Sequence, residues 1–177
     1  MATRRTLLIL ASMMLGVLML GGTALAVTKP CTSNPCEGTN RNDTLTGTDE
    51  ADEIFTLGGD DFVLANGGED DVRGGTGNDE LYGNGWSDEM YGGPDDDLMQ
   101  GNWADDVLIG GAGDDRLRPG SGADTVTGGR GNDKVSAKDG YTGEQIYCGP
   151  GTDRVEYNPD TDFVADDCEI LVPNNPR

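Results

Sequence analysis

The chain has 177 residues, of which 33 are acidic, 12 are basic and none is histidine, and its formal charge at pH 7 is −21. This length suits a single domain, and a charge of this sign disfavours nucleic acids and anionic membranes as partners. The charge also opposes a compact fold unless cations bind, so the positions of the acidic residues decide how the chain folds.

The N-terminus has the features of a secretory signal peptide. Arg4 and Arg5 precede an apolar run over 7–20, and Ala24-Leu25-Ala26 forms a small-x-small cleavage site. We expect a signal peptide over 1–26, bacterial-type export, and a secreted protein that no longer contacts the membrane after cleavage. An uncleaved membrane anchor is the alternative. The mature chain would keep 10 basic and all 33 acidic residues, a formal charge of −23.

Four cysteines follow the signal peptide: Cys31, Cys36, Cys148 and Cys168. An even number in an exported chain suggests disulfides, and four cysteines allow three pairings. We favour Cys31–Cys36 and Cys148–Cys168, because each of these pairs flanks one end of the repeat array described next. The first pair would pin an N-terminal segment, 27–37. Metal binding by cysteine is disfavoured, since the chain has no histidine and no CxxC motif.

Residues 38–136 divide without a gap into eleven units of nine residues. Glycine dominates the first position of the unit and recurs at the second and fourth positions. Position six is always aspartate, at Asp43, Asp52, Asp61, Asp70, Asp79, Asp88, Asp97, Asp106, Asp115, Asp124 and Asp133. Position eight is always aliphatic or methionine, at Leu45, Ile54, Val63, Val72, Leu81, Met90, Met99, Leu108, Leu117, Val126 and Val135. An acidic composition alone would not produce this pattern.

Each unit is predicted to form a turn and then a strand. Six residues rich in Gly, Asn and Asp suit a turn, and the next three form a short strand whose middle side chain is buried. Two such nine-residue units complete one coil, and stacked coils form an all-β parallel solenoid. The buried side chains are small, so hydrophobic burial alone is not expected to offset the ordering of so many glycines.

Residues 137–172 depart from the strict pattern. An insert at 137–147 is interpreted as a bulged unit with Glu144 and Ile146 in the acidic and aliphatic positions. Degenerate repeats and the second disulfide are expected to close the open end of the solenoid. The last residues, 173–177, are expected to be a frayed tail.

The stacked turns predict calcium sites. Ca²⁺ takes six to eight oxygen ligands from carboxylates and backbone carbonyls, and consecutive turns lie about 4.8 Å apart. A column of carboxylates at this spacing repels itself strongly unless ions lie between the turns. The alternative is that the aspartates only cap the turns by hydrogen bonding. The predicted ligands are the position-six aspartates, Asp153 after the insert, and Gly74, Gly75, Gly77, Gly92, Gly93, Gly110, Gly111, Gly113, Gly128, Gly129 and Gly131.

The most regular units, at 74–79, 110–115 and 128–133, read GGxGxD and are followed by an aliphatic residue. In this pattern the chain resembles the repeats-in-toxin (RTX, haemolysin-type) calcium-binding nonapeptides, tightly over 38–136 and loosely over 148–165. The resemblance implies a right-handed parallel β-roll that binds several Ca²⁺ ions between adjacent turns. The chain differs from usual members in its N-terminal signal peptide and its cysteines, and this sequence includes no protease, lipase or pore-forming domain.

The turns alternate between two edges of the solenoid, named here by the order of their units. The odd edge holds the turns of the units that begin at 38, 56, 74, 92, 110 and 128, and the even edge those that begin at 47, 65, 83, 101 and 119. The odd turns are closer to the consensus, so we expect them to bind Ca²⁺ more firmly. The aspartates concerned are Asp79, Asp97, Asp115 and Asp133.

Trp86 and Trp103 are predicted neighbours on the even edge. If exposed, the pair could bind a glycan or a protein; the alternative is that the rings cover the turn backbone. Asn66, Asn84 and Asn102 share position two on that edge. They could form a hydrogen-bonded ladder, or simply tolerate a left-handed turn conformation.

These patterns favour a secreted calcium-binding protein that is unfolded in calcium-poor cytosol and folds in extracellular calcium. The alternative is an adhesion or cell-surface structural protein that calcium stiffens. We do not expect an enzyme, because the chain has no histidine and no HExxH or GxSxG motif, and its aspartates are committed to the array. The enzyme alternative is a glycosidase whose site uses only carboxylates.

Overall fold

The structure is a computed structural model that describes residues 28–138 and 143–174. The predicted signal peptide, 1–26, lies outside these residues and stays a prediction. In the part of the chain described, strands and turns account for the fold, and no helix has the length and apolar character needed to cross a membrane.

Strands recur at a nine-residue interval through most of the array. From β3 to β13 each strand begins at position seven of a unit, as predicted, but many continue for six residues instead of three because the following turn also pairs with its neighbours. The strands are β1 (Thr28–Pro30), β2 (Cys36–Asn40), β3 (Thr44–Thr46), β4 (Glu53–Gly58), β5 (Phe62–Asn66), β6 (Asp71–Arg73), β7 (Glu80–Asn84), β8 (Glu89–Pro94), β9 (Leu98–Trp103), β10 (Val107–Ala112), β11 (Arg116–Ser121), β12 (Thr125–Arg130), β13 (Lys134–Ser136), β14 (Gln145–Tyr147), β15 (Arg154–Tyr157), β16 (Phe163–Val164) and β17 (Ile170–Pro173).

Alternate strands form two parallel sheets. The odd-numbered strands make a nine-stranded sheet in the order β1 to β17, and the even-numbered strands make an eight-stranded sheet in the order β16 to β2. Each strand pairs with the strand two places on, so Val63 lies beside Leu81, the residue at the same position two units later. The all-β parallel β-roll with two nine-residue units in each coil is therefore confirmed.

The core is a double column of the position-eight side chains. All eleven are at most 1 % exposed to solvent, and they point between the two sheets while their neighbours in each strand point outward. This column is one side chain wide on each sheet, so a turn residue is never far from the interior. The position-six aspartates are buried as a consequence.

Both ends of the roll are closed by disulfides with the predicted pairing, Cys31–Cys36 and Cys148–Cys168. Cys36 also lies in register with Ile54 and is fully buried. The N-terminal segment 27–37 thus includes part of an additional coil, which the sequence pattern missed because cysteine replaces the aliphatic residue.

The insert lengthens one coil of the roll. Val126 pairs with Ile146, and Glu144 is buried in the acidic position, so the bulged-unit interpretation fits the described part of the insert. At the C-terminus β17 includes Pro173, and the Asn174 N–H donates to the Tyr157 carbonyl. Strand pairing therefore reaches into the predicted frayed tail.

Candidate metal-binding turns

The interior turns share one backbone conformation on both edges. Positions two and four have positive φ, for example +93° at Gly75 and +110° at Gly77 on the odd edge. On the even edge the same positions hold Asn84 and Trp86, with φ of +79° and +77°. A residue with a side chain loses roughly 1–2 kcal/mol in this region, so the even turn at 83–88 reaches the same geometry at a higher conformational cost than the odd turn at 74–79.

After the first turn on each edge, one oxygen of every position-six carboxylate ties its coil to the preceding one. The Asp79 N–H donates to Asp97 Oδ1 at 2.8 Å, and the Asp97 N–H donates to Asp115 Oδ1 at 2.8 Å. The same bond, at 2.6–3.0 Å, accepts on Asp61, Asp70, Asp79, Asp88, Asp106, Asp124, Asp133 and Asp153. The aspartates therefore do cap turns, but this uses only Oδ1.

The second oxygen, Oδ2, is sealed from water and has no hydrogen-bond partner among the described residues. The aspartates concerned are Asp70, Asp79, Asp88, Asp97, Asp106, Asp115, Asp133 and Asp153. Asp61 differs, because the Thr56 side chain at position one of its unit hydrogen-bonds its carboxyl group. At Asp97 this oxygen lies against Gly92: a Cβ added there would be 2.3 Å from Oδ2 and 2.7 Å from the Gly110 carbonyl oxygen. Gly92 therefore leaves room for the Asp97 carboxylate. An ionised oxygen in this environment is costly unless a cation or a proton compensates it.

Burial raises the pKa of these carboxyl groups, and the neighbouring aspartates of the column raise it further. The pKa is raised to about 8 at Asp97 and Asp106. It is raised to about 7 at Asp79, Asp88 and Asp115, and to about 6 at Asp70 and Asp133. The effect is largest in the middle of the array and similar on the two edges. Without a bound cation, the folded columns therefore resist ionisation near neutral pH.

The first turn on each edge is satisfied by protein donors instead. The Thr39 N–H and hydroxyl donate to Asp43 Oδ2 at 2.6 and 2.8 Å. The Thr48 N–H and hydroxyl do the same for Asp52 Oδ2, at 2.6 and 3.0 Å. The Oδ2 atoms of these two aspartates are therefore already engaged, which distinguishes them from the interior ligands predicted with them.

The odd edge has a second, exposed ladder at position five that the sequence reasoning did not identify. The Asp114 N–H donates to Asp96 Oδ1, and the Asn132 N–H donates to Asp114 Oδ1, each at 2.7 Å. Equivalent bonds accept on Asn42, Asp60, Asn78 and Asn132.

The signal for this ladder was available in the sequence. Every odd unit has Asn or Asp at position five, whereas the even units have Ala51, Glu69, Ser87, Asp105 and Ala123. On the even edge Asp105 makes one such bond, from the Ala123 N–H at 2.8 Å. The odd turns are thus linked to neighbouring coils by hydrogen bonds at both position five and position six. On the even edge, the position-five bond is found between one pair of turns among the described residues.

The last coil ends the odd-edge column with a glutamate. The Asp153 N–H donates to Glu169 Oε2 at 2.9 Å, which places Glu169 in the position-six column. Asp167 accepts from the Cys148 N–H and, at 3.0 Å, from the Gly149 N–H. Neither acid was predicted, because this coil is shorter than the others and breaks the register of the repeat.

The two tryptophans lie side by side on the even edge, as expected, and are largely exposed. Trp86 is 67 % and Trp103 is 74 % accessible, and together with Asn84 they line one shallow cavity. The Trp86 ring also approaches the Gly67 turn.

The asparagines at position two of the even units all have left-handed φ. The side-chain amides of Asn66 and Asn102 donate to backbone carbonyls and not to each other. This agrees with tolerance of the turn conformation and not with an asparagine ladder.

The donor set of the interior turns fits calcium. It consists of carboxylate and backbone carbonyl oxygens, the ligands that Ca²⁺ prefers, and it includes buried Oδ2 atoms with no protein donor among the described residues. The predicted glycines all lie in odd-edge turns, where positive φ at positions two and four shapes the loop. No nitrogen or thiolate ligand of a softer metal is available in the described turns, because the chain has no histidine and all four cysteines are in disulfides.

The model of the RTX calcium-binding nonapeptide repeat family matches the chain in four copies, at residues 37–72, 64–99, 82–117 and 100–135. These matches span 37–135, more than half of the chain, and the chain belongs to this family. A search of curated proteins found no match. The family confirms the resemblance drawn from the repeats and makes this a calcium-binding repeat protein, of a type that is typically extracellular and non-catalytic.

Proposed function

We propose that this chain is a secreted RTX protein that binds several Ca²⁺ ions in its interior turns and folds when it reaches extracellular calcium. The observation that carries the proposal is the double column of buried Oδ2 atoms, which have no hydrogen-bond donors among the described residues. Each column repeats at the strand spacing of about 4.8 Å. Ionised carboxylates at that spacing repel each other, whereas Ca²⁺ between them attracts both neighbours.

The energetics are sufficient for calcium to control folding. A site with a Kd of about 0.1 mM contributes about 1.4 kcal/mol in about 1 mM Ca²⁺, and extracellular modules bind in roughly this range. Four to eight such sites would contribute on the order of 6–11 kcal/mol, which is comparable to the whole stability of a typical domain. In calcium-poor cytosol that contribution is absent, and the acidic chain would stay unfolded and exportable.

The proposed ligands are the interior position-six carboxylates with carbonyls of the turn glycines. We propose that Asp43 and Asp52 act as turn caps, because Thr39 and Thr48 already hydrogen-bond their Oδ2 atoms. We keep the prediction that the odd edge binds more firmly, and the position-five ladder supports it by bracing those turns. We propose that the even edge also binds, because Asp70, Asp88 and Asp106 have the same buried Oδ2 atoms without a donor among the described residues.

Calcium titration of the mature chain tests the proposal. We expect coil-like circular dichroism in calcium-free buffer, β-structure in millimolar Ca²⁺, and several bound ions by isothermal titration calorimetry. Mg²⁺ is the matched control, because it demands a tighter octahedral site and should induce little folding. The disulfides should be tested both intact and reduced. Equal β-structure with and without calcium in the reduced chain would contradict the proposal.

A second candidate function is calcium-dependent adhesion, favoured by the exposed Trp86–Trp103 pair. Large exposed aromatic side chains commonly mark contact surfaces, and Trp86 adopts a left-handed conformation although most of its ring faces solvent. Glycan-array or cell binding by the calcium-loaded chain should fall when both tryptophans are replaced by alanine. Unchanged binding, with unchanged folding, would assign the rings to covering the turn backbone.

A further inference from the structure

The outer face of the nine-stranded sheet carries a basic block in an otherwise acidic protein. Of the nine Lys and Arg residues in the described ranges, five lie on β11, β13 and β15 or just after β13: Arg116, Arg118, Lys134, Lys138 and Arg154. Strand pairing places Arg116 beside Lys134 and Lys134 beside Arg154. Like charges directly opposite on adjacent strands destabilise a sheet, so this row has a cost that folding alone does not explain.

Acidic neighbours neutralise only one end of the block. Glu156 forms ion pairs with Lys138 at 2.9 Å and with Arg154 at 3.1 Å. No such pair is found for Arg116, Arg118 or Lys134 within residues 28–138 and 143–174.

These last three cations converge on a small surface cavity. Arg116, Arg118 and Lys134 line it together with Ser136 and Glu156, and its volume is about 180 Å³. The cavity therefore presents two guanidinium groups and an ammonium to a single bound group, while the Ser136 hydroxyl donates to the Glu156 carboxylate at 3.3 Å. This is a donor set suited to a carboxylate or sulfate, which guanidinium groups bind through paired hydrogen bonds.

The same sheet face continues toward the N-terminus with aromatic and amide side chains and one acid, Glu80, which accepts from the Tyr82 hydroxyl. The Phe62 and Tyr82 rings pack with centroids 5.6 Å apart. Tyr82 is in register with Gln100, and Gln100 is in register with Arg118. A single row along the solenoid axis thus offers an aromatic ring, an amide and a guanidinium at successive strand spacings.

We propose that this face binds an acidic polysaccharide, with sulfate or carboxylate groups on Arg116, Arg118 and Lys134 and a sugar ring against Phe62 and Tyr82. A linear ligand with regularly spaced anionic groups matches cations that repeat at the strand spacing. The aromatic pair suits the apolar face of a pyranose ring, and the amide of Gln100 suits its hydroxyls. Exposed acidic residues in the turns on both sides of this sheet, such as Asp96 and Asp114 on the odd edge and Asp105 on the even edge, confine the ligand to a narrow strip, which disfavours duplex nucleic acid.

The test measures binding of defined oligosaccharides to the calcium-loaded chain by isothermal titration calorimetry at low salt. The probes are a sulfated heparin oligosaccharide, an oligogalacturonate, a neutral maltooligosaccharide and inorganic sulfate. The first two distinguish sulfate from carboxylate as the recognised group. The variant R116Q/K134Q is compared with R41Q/R130Q, which removes the same charge from positions outside the block.

We expect the unaltered chain and R41Q/R130Q to bind at least one acidic oligosaccharide, with no detectable binding of the neutral one. R116Q/K134Q should bind at least about tenfold more weakly, since each charge-assisted contact contributes roughly a factor of ten.

Several outcomes would overturn the proposal. The proposal fails if both variants lose binding equally or if both bind equally well. A ligand held through bound calcium, or attracted by net charge alone, would not distinguish the two variants. Binding of inorganic sulfate without either acidic oligosaccharide would reject a polysaccharide as the ligand. Self-association through the block without glycan binding, seen by analytical ultracentrifugation, would assign the face to a second copy of the chain.

Discussion

Replacing Asp97 by asparagine separates the structural and the ion-binding roles of an interior carboxylate. Asparagine keeps an oxygen that can accept the Asp79 N–H but removes the charge on the buried Oδ2. Burial raises the pKa of Asp97 from 3.8 to about 8. At pH 7 the calcium-free fold must hold this group protonated, which costs about 1.36 kcal/mol for each pH unit above the unfolded value, on the order of 4 kcal/mol.

Asp97→Asn should therefore be more stable than the unaltered chain in the absence of calcium, by up to about 4 kcal/mol. It should also gain less from calcium. Each tenfold rise in calcium above the dissociation constant removes about 1.4 kcal/mol of this advantage for each ion the variant fails to bind. The assay is urea unfolding followed by circular dichroism over a series of free calcium concentrations. An osmolyte that favours folding is added equally to all samples if the calcium-free chain is unfolded.

The matched control is Asp43→Asn in the first turn. Asp43 Oδ2 accepts from the Thr39 N–H and hydroxyl, so asparagine disrupts hydrogen bonds worth roughly 1–2 kcal/mol in total. This loss should be the same at every calcium concentration. If both variants show the calcium dependence of the unaltered chain, the interior carboxylates do not bind the ion and the reasoning fails.

The carboxylate columns and the second disulfide lead to three more expectations. With the same osmolyte present, the calcium-free roll should become more stable in thermal unfolding as the pH falls from about 8 to about 5, because carboxyls whose folded pKa is raised to about 6–8 take up protons on folding. The calcium-loaded roll should show the opposite trend, and loss of stability on acidification in both states would contradict this. Gly92→Ala should lower the free energy of unfolding by about 1–3 kcal/mol and weaken calcium binding, since the new Cβ would collide with Asp97 Oδ2. The control is Gly85→Ala, whose Cβ would approach nothing closer than 3.8 Å, and it should change the calcium affinity measured by calorimetry little. Replacing Cys148 and Cys168 by serine should lower the free energy of unfolding by about 3 kcal/mol, because the loop that this disulfide closes is released. The calcium concentration at the midpoint of folding should therefore rise, and an unchanged midpoint would count against a role for this disulfide in closing the roll.

The fold was predictable because the nine-residue pattern constrains each unit twice. Position eight must be buried and position six must lie at the adjoining turn, so the stack, the coil length and the core column follow from the sequence alone. The pattern failed where the residue types change. Cys36 was not recognised as a core residue, and Glu169 was not recognised in the acidic column, because neither matches the consensus type at its position.

The roles of individual aspartates were less accessible. Asp43 and Asp97 occupy the same position of the unit, yet one has its Oδ2 satisfied by Thr39 and the other leaves it buried without a donor among the described residues. Similarly, the odd-edge ladder at position five connects neighbouring coils through bonds that run in the opposite direction to those at position six. Such pairings depend on which coil lies above and which lies below.

The sequence by itself determined that this chain is an acidic parallel solenoid of nine-residue units with calcium-type turns, because periodicity and residue type specify local conformation and burial. Only the tertiary structure decided which carboxylate oxygens are left for an ion and which cations face one another across strands. The physical reason is that hydrogen bonding, desolvation and charge repulsion act between neighbouring coils, over distances that stacking sets and that no single unit contains.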